Sequence, residues 1–181
     1  MADWILTYTG ARFAPLEPNA NDIDIIDIAH ALSNMCRFTG HCREFYSVAQ
    51  HSVLVAEYLW KRHYLKGLAL TGLLHDASEA YLVDVARPVK HSAEFSFYRE
   101  IEGKLQTVIY NKFGIFHEPD AVKHADNHLL DVEAYFLMPD CEDWESTTEK
   151  PEGFTEFPCW SPQKSKDKFL SAFLDFGCVR G

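Results

Sequence analysis

Residues 72–80 read GLLHDASEA, and this stretch limits what the chain can fold into. Leu73 and Leu74 belong in an apolar core, yet His75, Asp76 and Glu79 follow at once. Burying such groups is costly unless partners or an ion compensate them, so any stable fold must deliver compensation to this point. On a helix, successive residues lie about 100° apart and positions i+3 and i+4 share a face. Glu79 is then expected above both His75 and Asp76 at one site.

The surrounding pattern is helical. Val48, Val55 and Leu59 recur at spacings of seven and four, with Ala56 beside them, which predicts an amphipathic helix from Ser47 to about His63. His51 lies on its inward stripe. Leu68 to about Tyr81 reads as a second helix, ended by DVARPVK because Pro88 disfavours helical geometry in Arg87. Two longer helices follow, Phe95 to Phe113 and about Glu118 to Met138, parted by Gly114, with Asp126 facing inward between Val122 and Leu129/Leu130. Upstream, residues 1–22 predict a short extended segment and a loop, and DIDIIDIAHALS opens the first helix with acidic residues near its start. CRFTGHCREF reads as a loop, and a last helix covers about Gln163 to Phe176. Strands are scarce, so the expected class is all-α, a helical bundle behind a short irregular or extended N-terminal segment.

Residues 139–162 are of a different kind. PDCEDWESTTEKPEGFTEFPCWSP is acidic and rich in Pro, Ser and Thr, as expected of a long loop. Such a loop is either a solvated connection or a lid; Trp144, Phe154, Phe157 and Trp160 motivate the second reading.

Composition narrows the classes. A chain of 181 residues is expected to form one domain over residues 1–181. A hydrophobic content of 47 % places it among globular proteins. The net charge of −10, with no basic run, argues against polymeric nucleic acid as a partner and leaves room for a small phosphorylated molecule. Five cysteines, Cys36, Cys42, Cys141, Cys159 and Cys178, include no C-x-x-C pair, which suggests neither a disulfide framework nor a zinc ribbon. The start lacks a basic region followed by a sustained apolar stretch, and no run approaches about 18 apolar residues. The expectation is a cytoplasmic protein with reduced thiols and no membrane partner.

A divalent metal is the simplest compensation for His75 and Asp76, because imidazole and carboxylate are both good ligands and the cation offsets the carboxylate charge. His51 and Asp126 lie inward on other helices, and bundles commonly build metal sites from facing side chains. Two His and two Asp would leave coordination positions for water and substrate, as catalytic sites do.

With these residues named, the chain resembles the HD-domain superfamily of metal-dependent phosphohydrolases. The superfamily pattern H…HD…D stands here as His51 in SVAQHS, His75–Asp76 in LLHDASE and Asp126 in KHADN, over roughly residues 25–138. Within it the likeness is to HD 5′-deoxynucleotidases and to phage deoxynucleoside triphosphohydrolases. The resemblance implies an HD-domain helical bundle and one divalent transition metal, Co, Mn, Zn, Fe or Ni, with Mg added alongside a triphosphate substrate. It implies a phosphohydrolase cleaving deoxynucleotides at the 5′ α-phosphate, first as a 5′-deoxynucleotidase on dNMPs. The alternative is a dNTP triphosphohydrolase, for example converting dATP to deoxyadenosine and triphosphate. Further alternatives are a cyclic-nucleotide or ppGpp hydrolase and a non-catalytic nucleotide-binding module.

By the same resemblance Arg37, fourteen positions before His51, holds phosphate, and Phe38 stands against the base or sugar where the family usually has Trp. Asp84 meets the sugar or the attacking water, Lys90 in the PVK segment meets a phosphate, and Glu79 manages a proton. Arg43, in the same loop as Arg37, offers a further cation for extra phosphates. Relatives of this kind imply a homo-oligomer acting in the cytosol of a bacterium or a phage-infected host.

Overall fold

The computed structural model describes residues 3–148, 150–151 and 155–177. Its elements begin with a two-residue antiparallel hairpin, β1 (Ile5–Leu6) and β2 (Arg12–Phe13), the extended segment expected at the N-terminus. Eight α-helices follow among the described residues: α1 (Ile25–Asn34), α2 (Val48–His63), α3 (Lys66–Leu73), α4 (Glu79–Leu82), α5 (Arg87–Lys90), α6 (Ser96–Lys112), α7 (Asp120–Leu137) and α8 (Pro162–Gly177). The class is all-α. Among the described residues no helix is long and apolar enough to cross a membrane.

Local chemistry explains the helix starts. The Asp24 carboxylate accepts from the Ile26 amide to open α1, and the Ser47 hydroxyl accepts from the Gln50 amide to open α2. Gly114 takes φ +75° and so allows the chain to turn between α6 and α7. The hairpin is tied down by Asp27 of α1, whose carboxylate accepts from the Thr9 amide (2.7 Å) and hydroxyl (2.8 Å). Phe13 then stacks on Tyr81 with ring centroids 4.1 Å apart.

Helix α2 runs through the middle of the bundle. On one side it shares a core with α1, α3, α6 and α8, including Leu32, Val53, Leu73, Leu105 and Phe169. On the other, Val55 and Leu59 meet Val122, Ala125 and Leu129 of α7. Gly72 lets α3 lie close to α2, since a Cβ there would stand 2.5 Å from Leu59 Cδ1. Close approach of α2, α3 and α7 is what faces His51, His75 and Asp126 toward each other.

Two expectations about this region need correction. The helix read over 68–81 is not continuous: α3 ends at Leu73, residues 74–78 form turns, and α4 starts at Glu79. The cause lies in α6. A regular helix would join the Ser78 amide to the Leu74 carbonyl, but Gln106 stands between them, accepting from Ser78 N (3.0 Å) and donating to Leu74 O (2.7 Å). Pro88 does not act as the terminator either. The helix has already stopped at Val83, with φ +85°, and Pro88 sits in the first turn of α5, where its missing N–H leaves no bond unmade.

The 139–162 segment is anchored at its C-terminal end. Buried Gln50 donates to the Pro158 carbonyl (2.6 Å) and accepts from the Trp160 amide (2.8 Å), and the Phe157 ring lies against Tyr46 and Phe136. Trp144 faces Phe38 at 6.3 Å. Phe154, part of the lid reading, and Cys178 lie outside the described residues. Cys36, Cys42, Cys141 and Cys159 are unpaired among the described residues.

Candidate metal centre

His51, one turn into α2, is fully buried at 0 % exposure, and His75, just past the end of α3, is at 7 %. Each ring is oriented through Nδ1. His51 Nδ1 donates to Glu133 Oε1 (2.6 Å), and His75 Nδ1 donates to the Gly72 carbonyl (2.8 Å), an atom that can only accept. Both Nε2 atoms are thereby turned to the same place, 3.3 Å apart.

Two carboxylates reach the same place. Asp126 Oδ1 lies 3.1 Å from His51 Nε2 and 3.8 Å from His75 Nε2. Asp76 Oδ2 lies 3.2 Å from His75 Nε2 and 3.7 Å from His51 Nε2. Donor atoms that share a first-row ion at about 2 Å stand roughly 3–3.5 Å apart. The ligand atoms of His51, His75 and Asp126 all fall within 4.8 Å of one another, a set that could hold such an ion, and Asp76 stands beside it against His75. The carboxylates are 21 % exposed whereas the imidazoles are buried, so the cluster opens toward solvent on its acidic side.

Without an ion, protons carry the compensation. Burial would lower the pKa of His75, but Asp76 and the hydrogen bonds to Asp126 and Asp76 raise it well above its ordinary value. For His51, burial and Arg37 oppose protonation, while Glu133 and hydrogen bonds to Asp126 and Glu133 prevail and raise it. Burial would raise Asp76 and Asp126, but the two imidazoles hold both well below the usual carboxylate range. These opposed shifts mark a site whose two carboxylates favour positive charge on the groups beside them.

A supporting layer surrounds the cluster, and its central member was not foreseen. Glu133 of α7, at 0 % exposure, accepts from His51 and from the Tyr46 hydroxyl (2.7 Å), and pairs with Arg37 Nε (3.1 Å). A signal for it existed: Glu133 lies two helical turns beyond Asp126 and four residues past Leu129, on the same inward stripe. Burial opposes its charge, but Arg37 and His51 outweigh that and keep its carboxyl below the ordinary value.

The remaining expected site residues fall into two groups. Arg37 reaches the cluster, with Nη1 3.6 Å from Asp76, and its side chain is 12 % exposed, clamped between two carboxylates. Glu79 is buried, but the broken helix removes the shared-face geometry assumed for it. It lies near Asp76 and Asp84 in charge terms, and burial followed by those two carboxylates raises its pKa well above normal. Its Oε2 has no hydrogen-bond partner among the described residues. Asp84 is half-buried and raised by burial, with its amide directed to the Met35 sulfur (3.2 Å). Lys90 pairs with Glu102 (2.7 Å). Phe38 lies 5.7 Å under the Arg37 guanidinium, in a backbone with φ +53°.

Among the described residues Arg43 makes no ion pair with the cluster; it pairs with exposed Asp140 at 3.2 Å. A cation that was not foreseen comes closer. Arg87 Nη2 lies 3.6 Å from Asp126 Oδ2.

The chain is similar over nearly its whole length to the uncharacterized protein YfdR of Escherichia coli K12, 36 % identical over 183 residues, covering 98 % of this chain and 97 % of that protein. It is also similar to an uncharacterized protein of Rhodobacter capsulatus, 37 % identical over 118 residues, covering 62 % of this chain and 59 % of the relative. No protein-family model matches.

Proposed function

The chain belongs to the family of the Escherichia coli protein YfdR, and from that premise and the metal centre we propose that it is a divalent-metal-dependent phosphohydrolase of the HD type. Its substrates in this reading are deoxynucleotides, cleaved at the 5′ α-phosphate, with dNMPs the first choice. One observation carries the reading: two imidazoles anchored through Nδ1 present Nε2 to the same point as two carboxylates, with the carboxylate side open. His51, His75, Asp76 and Asp126 would hold the ion, one of Co, Mn, Zn, Fe or Ni, which no mixed nitrogen and oxygen set distinguishes.

The ion, when bound, supplies Lewis acidity toward water and a phosphoryl oxygen. The protein's own groups supply the rest. Glu133 fixes the His51 tautomer, as a carboxylate behind a ligating histidine does. Arg37 ties Asp76 to Glu133 and keeps both carboxylates in register. Glu79, kept protonated by burial and by Asp76 and Asp84, holds a proton for the departing 5′ oxygen as water adds to phosphorus. Asp84, near the same charges, faces the sugar side in this reading.

Chromatographic product analysis tests it. Metal-depleted protein reconstituted with Co, Mn, Zn or Mg is given dNMPs and dNTPs, with Asp76→Ala as control. Phosphate and deoxynucleoside from monophosphates are expected, at a rate lowered at least about 100-fold in the variant. Triphosphate released from a dNTP would transfer the reading to a triphosphohydrolase. Nucleotide binding with no product from any substrate would replace it with a binding module.

A further inference from the structure

Three cations lie near the cluster, and they are not equivalent. Arg37 is almost buried, and its guanidinium is divided between Glu133 (3.1 Å) and Asp76 (3.6 Å). Pulling it onto a substrate would leave Glu133 buried without its counter-charge, a costly exchange. Lys90 is committed to Glu102 at 2.7 Å. Arg87 differs on both counts: its side chain is 55 % exposed, and Asp126 Oδ2 is its ion-pair partner among the described residues, at 3.6 Å, beyond hydrogen-bond length.

The backbone that carries Arg87 is nevertheless fixed. Arg99 Nη1 of α6 donates to the carbonyls of Lys90 (2.5 Å) and Ser92 (2.7 Å), which holds the end of α5 in place. The two oxygens of Asp126 also have separate duties. Oδ1 faces the imidazoles, and Oδ2 faces Arg87. A loosely held guanidinium therefore stands beside a carboxylate of the cluster, with its own side chain exposed to solvent.

We propose that Arg87, rather than Arg37, is the residue that grips the phosphoryl group of the substrate. This rests on the phosphohydrolase reading and deepens it. In the free protein Arg87 rests against Asp126; when a phosphate monoester arrives, its planar fork turns to two non-bridging oxygens, a geometry guanidinium matches and ammonium does not. Arg37 remains a positioning residue that holds Asp76 and Glu133.

The test compares metal-loaded wild type with Arg87→Gln and Arg87→Lys. It reads kcat and KM for dNMP hydrolysis, the Kd of inorganic phosphate by calorimetry, and bound metal per chain. For Arg87→Gln we expect KM and the phosphate Kd to rise about tenfold or more, with metal content and kcat within about twofold, and for Arg87→Lys a partial return of both constants. If KM and Kd stay within about twofold in Arg87→Gln while the wild type is active, the proposal is overturned and the phosphohydrolase reading stands. A parallel fall in metal content and kcat would instead make Arg87 a support for Asp126 and also overturn it. Should the wild type bind phosphate but hydrolyse nothing, the reaction reading fails and Arg87 is judged on the Kd alone. Wild type that neither binds phosphate nor turns over a nucleotide overturns both.

Discussion

At the scale of single residues, Glu133 has more consequence than any ligand's neighbour. It joins the His51 side of the cluster to the Arg37 loop, through His51, Tyr46 and Arg37. Glu133→Gln keeps the shape and removes the charge, so His51 loses its ionic acceptor and Arg37 keeps only Asp76. Carboxylates that hydrogen-bond a metal-bound histidine typically carry about 10- to 100-fold in affinity, and breaking a buried pair costs about 3 kcal/mol or more. Competition with a chelating dye should show at least about tenfold weaker metal binding, and a thermal melt a lower Tm. Wild-type affinity in that variant would mean that His51 needs no orienting partner.

At the scale of elements, the break between α3 and α4 shapes the site. His75 uses its Nδ1 on the Gly72 carbonyl, and Gln106 takes both the Leu74 carbonyl and the Ser78 amide, so the HD pair sits on turns rather than on a helix face. Gln106→Leu removes this wedge. Two outcomes are open to the chain, both measurable: orphaned polar groups costing about 1–3 kcal/mol, or healing into regular helix with Asp76 turned away from His51. Metal affinity falls in each case. A variant with unchanged affinity and unchanged Tm would show that the wedge is not what holds the ligands.

At the scale of the whole molecule, the cluster couples protons to stability and, on the proposed reading, metal as well. In the metal-free protein His51 and His75 lie above their unfolded value of 6.5, so their contribution is complete below that pH and fades as pH rises through the raised values. Asp76 and Asp126 lie below 3.8; their contribution is complete above that pH and fades as pH falls through the depressed values. Metal-free Tm should therefore be highest between those two limits and decline on the alkaline side. A metal ion bound there would replace the protons held among these groups, so the Tm gained on adding metal should grow with pH. Melts of metal-free and loaded protein between about pH 5 and 8.5 would decide this, and a gain independent of pH would refute proton–metal exchange at these ligands.

Much of the bundle was legible in the sequence because a helix's inward stripe is a local property, set by spacing along the chain. The positions of α1, α2, α6, α7 and α8, and the inward placement of His51 and Asp126, follow from that periodicity. Gln106 lies in a different helix from the HD pair it interrupts, and Glu133 serves Arg37, 96 residues away; neither relation leaves a mark at short range. The same holds for Arg87, which reads as one more surface cation until α7 brings Asp126 within reach of it. Sequence by itself determined which polar groups would be driven inward, since apolar neighbours on one face leave them no other place. Tertiary structure alone decided how they are compensated, because pairing between buried charges depends on distances between elements far apart in the chain.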